Sequence, residues 1–152
     1  MEQIAEEFDP LYPAGFHNIS LDDIEEIFVL PFSPNDKRKY LMGRFFDFIE
    51  RLLTIEMQFE IWIDGSYSTK KLEPNDMDIL VVFDANEVNQ LSMEKQYLIN
   101  ELLDRDLSKI RYSIDVLVLP SPNEDMRSYW RGWFGFSRKE VPKGIPKLSC
   151  PQ

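Results

Sequence analysis

Residues 77–83, MDILVVF, form a nearly continuous apolar run with a single carboxylate, Asp78, set into it. Such a run reads as a strand buried on both faces, so the chain must build a sheet with covering layers around it. Neighbours are at hand. QFEIWID at 58–64 alternates apolar and polar residues as a strand does, and RYSIDVLVLP at 111–120 is another apolar strand, again interrupted by one carboxylate, Asp115.

Helical patterns fall between these strands. SLDD at 20–23 is a capping-box pattern ahead of Ile24, Ile27 and Phe28. SPND at 33–36 repeats the device, with a proline at the first helical position of a long helix that turns Leu41, Phe45, Phe48, Ile49 and Leu52 inward as far as about residue 56. A third helix is predicted over about 92–106, with Leu91, Leu98, Ile99, Leu102 and Leu103 inward. SPNE at 121–124 caps a last helix striped by Met126, Tyr129, Trp130, Trp133 and Phe134. The order of elements predicts an α/β (α+β) fold, a mixed central sheet flanked by helices. At 152 residues the whole chain, 1–152, reads as a single domain, with 1–19 as an extended N-terminal arm and 137–152 as an irregular, lysine- and proline-rich C-terminal tail.

Chemistry concentrates in IDGSYSTKKLEPNDMDILVVF, residues 63–83. Alternation along a strand sends Asp76 and Asp78 to one face. Two close carboxylates disfavour each other's ionisation unless a cation sits between them, and magnesium, which takes hard oxygen ligands and keeps several waters, suits the pair. Asp115 in its own apolar strand needs a partner, a metal or solvent. Should its strand lie beside that of Asp78, three carboxylates could hold two metal ions, the arrangement that clamps both oxygens of an in-line phosphoryl displacement. Gly65 permits close backbone approach, and Ser66 adds a hydroxyl and an N–H for an anion.

Gly65-Ser66, Asp76-Met77-Asp78-Ile79 and Ile114-Asp115-Val116 together resemble the three-part signature of the nucleotidyltransferase superfamily that includes DNA polymerase β and the minimal nucleotidyltransferases. LYPAGFHNIS near the start and WFGFSRKEVPKGI near the end are similar to a little-characterised bacterial group within it. The resemblance implies the polymerase β-like fold and transfer of a nucleoside monophosphate from an NTP, ATP foremost, to an acceptor hydroxyl. It implies that Asp76 and Asp78 bind two Mg2+ ions, that Asp115 binds one of them and helps activate the acceptor, and that Gly65 and Ser66 hold the triphosphate. The arginine–glycine step that usually follows glycine–serine is replaced by YSTKKLEPN, which puts Lys70 and Lys71 forward as phosphate contacts. A protein without the helical acceptor-binding domain of larger relatives is expected, and the antitoxin-like behaviour of small relatives suggests a protein partner such as a toxin. The alternative is a catalytically inactive domain of the same fold that binds a nucleotide or a protein partner.

Charge bears on the partner. With 27 acidic and 17 basic residues the chain carries a formal charge of −10, which disfavours long nucleic acid. The one cysteine, Cys150, excludes an intrachain disulfide, and no apolar run has membrane-spanning length, so a cytoplasmic protein away from membranes is expected. His17, the single histidine, is expected to make a structural hydrogen bond. The aromatic stripe is expected in the core, with stacking on a base or seating of a partner as its other use.

Overall fold

Ser20 Oγ donates to Asp23 Oδ2 and accepts from the Asp23 N–H, and helix α1 (Ile24–Phe28) follows with Ile24 and Phe28 buried. The computed structural model describes residues 8–120, 125, 128, 129, 135 and 142–151. Helix α2 (Asp36–Leu53) buries Leu41, Met42, Phe45, Phe48, Ile49 and Leu52 along one stripe, each large side chain contributing about 1.5–3 kcal/mol of burial. Its cap is Asn35, whose side chain accepts the Arg38 N–H, so Pro34 stands before the cap rather than in the first turn.

The helix expected over 92–106 is two helices, α4 (Met93–Leu102) and α5 (Arg105–Tyr112), after a short α3 (Ala85–Asn89). Asp104 causes the break: its carboxylate accepts the Leu107 N–H and starts a new helix, while Ser108 Oγ reaches back to the Leu102 carbonyl. Helix α5 then takes residues 111 and 112 from the strand expected there. Ser113, at φ 56°, turns the chain sharply.

Among the described residues five strands form one mixed sheet: β1 (Gly15–Ile19), β2 (Phe59–Asp64), β3 (Met77–Val82), β4 (Ile114–Leu119) and β5 (Gly144–Cys150), in the order β1-β5-β2-β3-β4. β1 runs parallel to β5 and β4 parallel to β3, whereas β2 is antiparallel to both its neighbours. Two expectations need correction here. Residues 15–19 of the extended arm are an edge strand, and residues 144–150 of the supposedly irregular tail are a strand inside the sheet. The ladder to β2 stops at the pair Trp62–Lys147, one position short of Pro146, which has no N–H to give, while on the β1 side Pro146 stands in register with His17.

The sheet has two apolar faces. Met77, Ile79, Val81, Ile114 and Val116 join the α2 stripe, Ile99 and Leu102 in the main core. Trp62, Leu80, Val82, Leu119 and Ile145 form a second cluster on the opposite face, where Phe16 meets Trp62 edge-on at 4.8 Å. The SPNE cap and Met126, Trp130, Trp133 and Phe134 lie outside the described residues, and Tyr129 is helical and exposed. Among the described residues no helix is long and apolar enough to cross a membrane.

Candidate functional site

Strand parity decides which carboxylates meet. Residues 62, 80, 82 and 119 point into the second cluster, so Asp64, Asp78 and Asp115, each an even number of residues away along its own strand, share that face. The register aligns them: Asp64 pairs with Asp78 across β2 and β3, and Asp78 pairs with Asp115 across β3 and β4. Three carboxylates therefore stand in a row on adjacent strands, spaced by roughly 5 Å of backbone per step. Asp76 precedes β3 by one residue, on the same side as Asp78.

Gly65 closes one end of the row. Its φ of +69° belongs to the left-handed region, and a Cβ there would lie 1.9 Å from Asp78 Oδ2 and 2.8 Å from Asp78 Cγ. The Asp78 carboxylate thus occupies the space that any other residue at 65 would need. Burial, helped by the charges of Asp76, Asp115 and Asp64 and opposed by Lys109, pushes the Asp78 carboxyl up to about 7. Asp64 is also raised by burial, against the Lys143 ammonium and the Gly65 N–H.

Basic side chains answer the acids around Asp78. Arg105 Nε and Nη2 donate to the two oxygens of Asp115 at 2.6 and 3.1 Å. Lys109 Nζ lies 3.7 Å from Asp76 Oδ2, and Lys143 Nζ forms an ion pair with Asp64 Oδ1. Hard carboxylate oxygens on one face suit a magnesium ion by donor chemistry. Among the described residues, however, no three His, Cys, Asp or Glu side chains converge on a common metal position. Asp64, Asp76 and Asp115 are turned to their basic partners.

The loop after Gly65 is held from below by an arginine. Arg38, fully buried on α2, uses all five guanidinium N–H groups on carbonyls: Nε on Lys71, Nη1 on Phe28 and Tyr67, Nη2 on Thr69 and Lys71. Phe32 and Tyr67 lie against the same guanidinium at 3.7 and 4.9 Å, and burial lowers its pKa. A charge without a carboxylate is tolerable there because every donor is satisfied and aromatic faces replace water. Ser68 Oγ on the Gly65 carbonyl and Thr69 Oγ1 on the Ser66 carbonyl complete the turn, which is a single 3-10 turn over Gly65–Ser68.

Of the residues singled out in the sequence, Gly65, Ser66, Asp76, Asp78 and Asp115 are brought together. Lys70 is exposed, and Lys71 sends its ammonium to within 5.8 Å of the Phe8 ring centroid while its carbonyl serves Arg38. His17 Nε2 is 2.7 Å from the Pro13 carbonyl and its ring stacks on Tyr12. Sequence reasoning missed Asp64, Arg105, Lys109, Lys143 and Arg38. Parity with Trp62 was a signal for Asp64, and the spacing of Arg38 with Leu41, Phe45 and Phe48 placed it on the buried stripe. The arginine–lysine pair of α5 was hidden by the expectation that one helix ended at 106.

The chain belongs to a family of unknown function, DUF6932, which matches residues 6–149. No curated protein and no solved structure gives a significant match.

Proposed function

We propose that the protein is a metal-dependent nucleotidyltransferase that moves a nucleoside monophosphate from an NTP, ATP foremost, to an acceptor hydroxyl. One observation carries this: Asp78 and Asp115 are register partners on parallel strands, with Asp76 just ahead and a bare Gly65 against the Asp78 carboxylate. The polymerase β-like version of the α+β fold belongs to the same proposal.

Asp76, Asp78 and Asp115 would hold two magnesium ions, which when bound supply positive charge beside the phosphoryl oxygens. Asp115 would orient the acceptor hydroxyl and take its proton at a carboxylate oxygen. Ser66 would meet the polyphosphate through its hydroxyl. The Arg38-locked loop would keep Gly65 and Ser66 in place, so that positioning supplies much of the acceleration. A partner-protein acceptor, antitoxin-like, follows from the family resemblance, and the formal charge of −10 supports it over long nucleic acid.

The test is incubation with Mg2+, each NTP and candidate protein or small-molecule acceptors, read by mass spectrometry for one added nucleotidyl group. Asp78→Asn should abolish the product; transfer that survives this change removes the mechanism. The ion pairs of Arg105, Lys109 and Lys143 favour a second reading, a nucleotide-binding domain without turnover. It predicts a thermal shift with NTP and Mg2+ and no product on any acceptor.

A further inference from the structure

Arg105 and Lys109 are four residues apart on α5 and therefore project from one side of it. Both end at the carboxylate row, Arg105 as a fork on Asp115 and Lys109 on Asp76. A guanidinium fork engages both oxygens of a carboxylate, and a divalent ion placed on the same group meets its positive charge within a few ångströms. With Lys143 on Asp64, four carboxylates face three basic side chains, so the row is close to neutral as it stands. A divalent ion arriving alone must displace an ion pair and gains little.

We infer that Arg105 is an exchangeable counter-ion: it neutralises Asp115 in the metal-free protein, leaves it when a divalent cation enters, and then faces, with Lys109, the polyphosphate that arrives with the metal. The inference rests on the nucleotidyltransferase reading of the site. Three features support it. The side chains of Arg105 and Lys109 are 63% and 61% exposed, so both can swing without a core rearrangement. The helix that carries them is fixed by the Asp104 cap and the Ser108–Leu102 bond, so the exchange needs side-chain motion only. Lys71, the alternative phosphate cation in the loop, is directed at Phe8 instead. Metal and polyphosphate then bind cooperatively, because the phosphate takes over the cations that the metal displaces.

The experiment is titration with Mn2+, read by the electron-spin resonance of the free ion, with and without inorganic tripolyphosphate. The proteins are wild type, Arg105→Gln and Arg111→Gln. Arg111 is on the same helix as Arg105 but pairs with Glu101 of α4, so its variant loses the same charge away from Asp115. Arg105→Gln should bind Mn2+ alone about three- to fivefold more tightly, the worth of one partly exposed ion pair, while Arg111→Gln stays at the wild-type value. Tripolyphosphate should strengthen Mn2+ binding in the wild type and clearly less in Arg105→Gln. If Arg105→Gln binds Mn2+ no better than Arg111→Gln, or keeps the full tripolyphosphate effect, the counter-ion exchange is wrong while the site reading stands. If the wild type takes up no Mn2+ under either condition, the site reading falls and the exchange with it.

Discussion

Replacing Asp78 by asparagine should make the folded protein more stable at pH 8 and leave it nearly unchanged near pH 4. Burial among Asp76, Asp115 and Asp64 raises the Asp78 carboxyl from an ordinary 3.8 to about 7. The native state therefore keeps a proton that the unfolded chain has released, and between those two pH values unfolding frees a proton. Rising pH favours unfolding across that window. The stability that neutral Asp78 contributes is whole below about pH 4 and lost once the pH passes about 7. At about 1.4 kcal/mol per pH unit the loss approaches roughly 4 kcal/mol, and residual exposure with screening brings the expected value to about 2–4 kcal/mol. Asparagine keeps the shape and cannot ionise, so it retains that stability at every pH. For a domain of this size the gain corresponds to about 5–15 °C in Tm at pH 8. The assay is thermal denaturation by circular dichroism in EDTA-containing buffer from pH 5 to 8. An asparagine variant that is no more stable than wild type at pH 8, or whose advantage does not grow from pH 5 to 8, refutes the assignment of Asp78 as a strained carboxylate.

Three further outcomes are expected. Gly65→Ala should cost about 2–4 kcal/mol in urea denaturation, from the left-handed φ and the clash with Asp78, and the cost should fall to about 1–2 kcal/mol in an Asp78→Ala background; an unchanged cost there would show that Asp78 is not the obstacle. Arg38→Met should destabilise by about 3–5 kcal/mol because four carbonyl groups lose their donors, and Arg38→Lys should recover little, lacking the planar fork; a melting curve within about 1 kcal/mol of wild type would contradict this. Mg2+ with ATP at about a hundredfold excess over Kd should raise apparent stability by about 2.7 kcal/mol, an effect absent when EDTA replaces Mg2+; no difference between the two would remove nucleotide–metal binding from the proposal.

Local pattern carried a large part of this protein. The α2 stripe, the strands at 59–64 and 77–82, and the shared side of Asp76 and Asp78 all follow from periods of 3.6 and 2, which each segment displays by itself. Tertiary structure decided the rest, because ladder pairing and ion pairing join residues whose separation in sequence leaves no local trace. GIPKLSC became β5 only by inserting between β1 and β2, with Pro146 just beyond the end of the β2 ladder and in register with His17 of β1. Asp78 stands beside Asp115 because β3 and β4 pair in parallel register, a choice neither strand records alone. Arg105, Lys109 and Lys143 were solvated surface charges until the fold carried them to the acids, and Arg38 was one polar residue on an apolar stripe until the carbonyls of residues 67–71 closed around it. A clear period settles the conformation and the buried side of the segments that display one; which charge faces which, and where a patternless segment such as 144–150 goes, depends on how distant strands and helices are brought together.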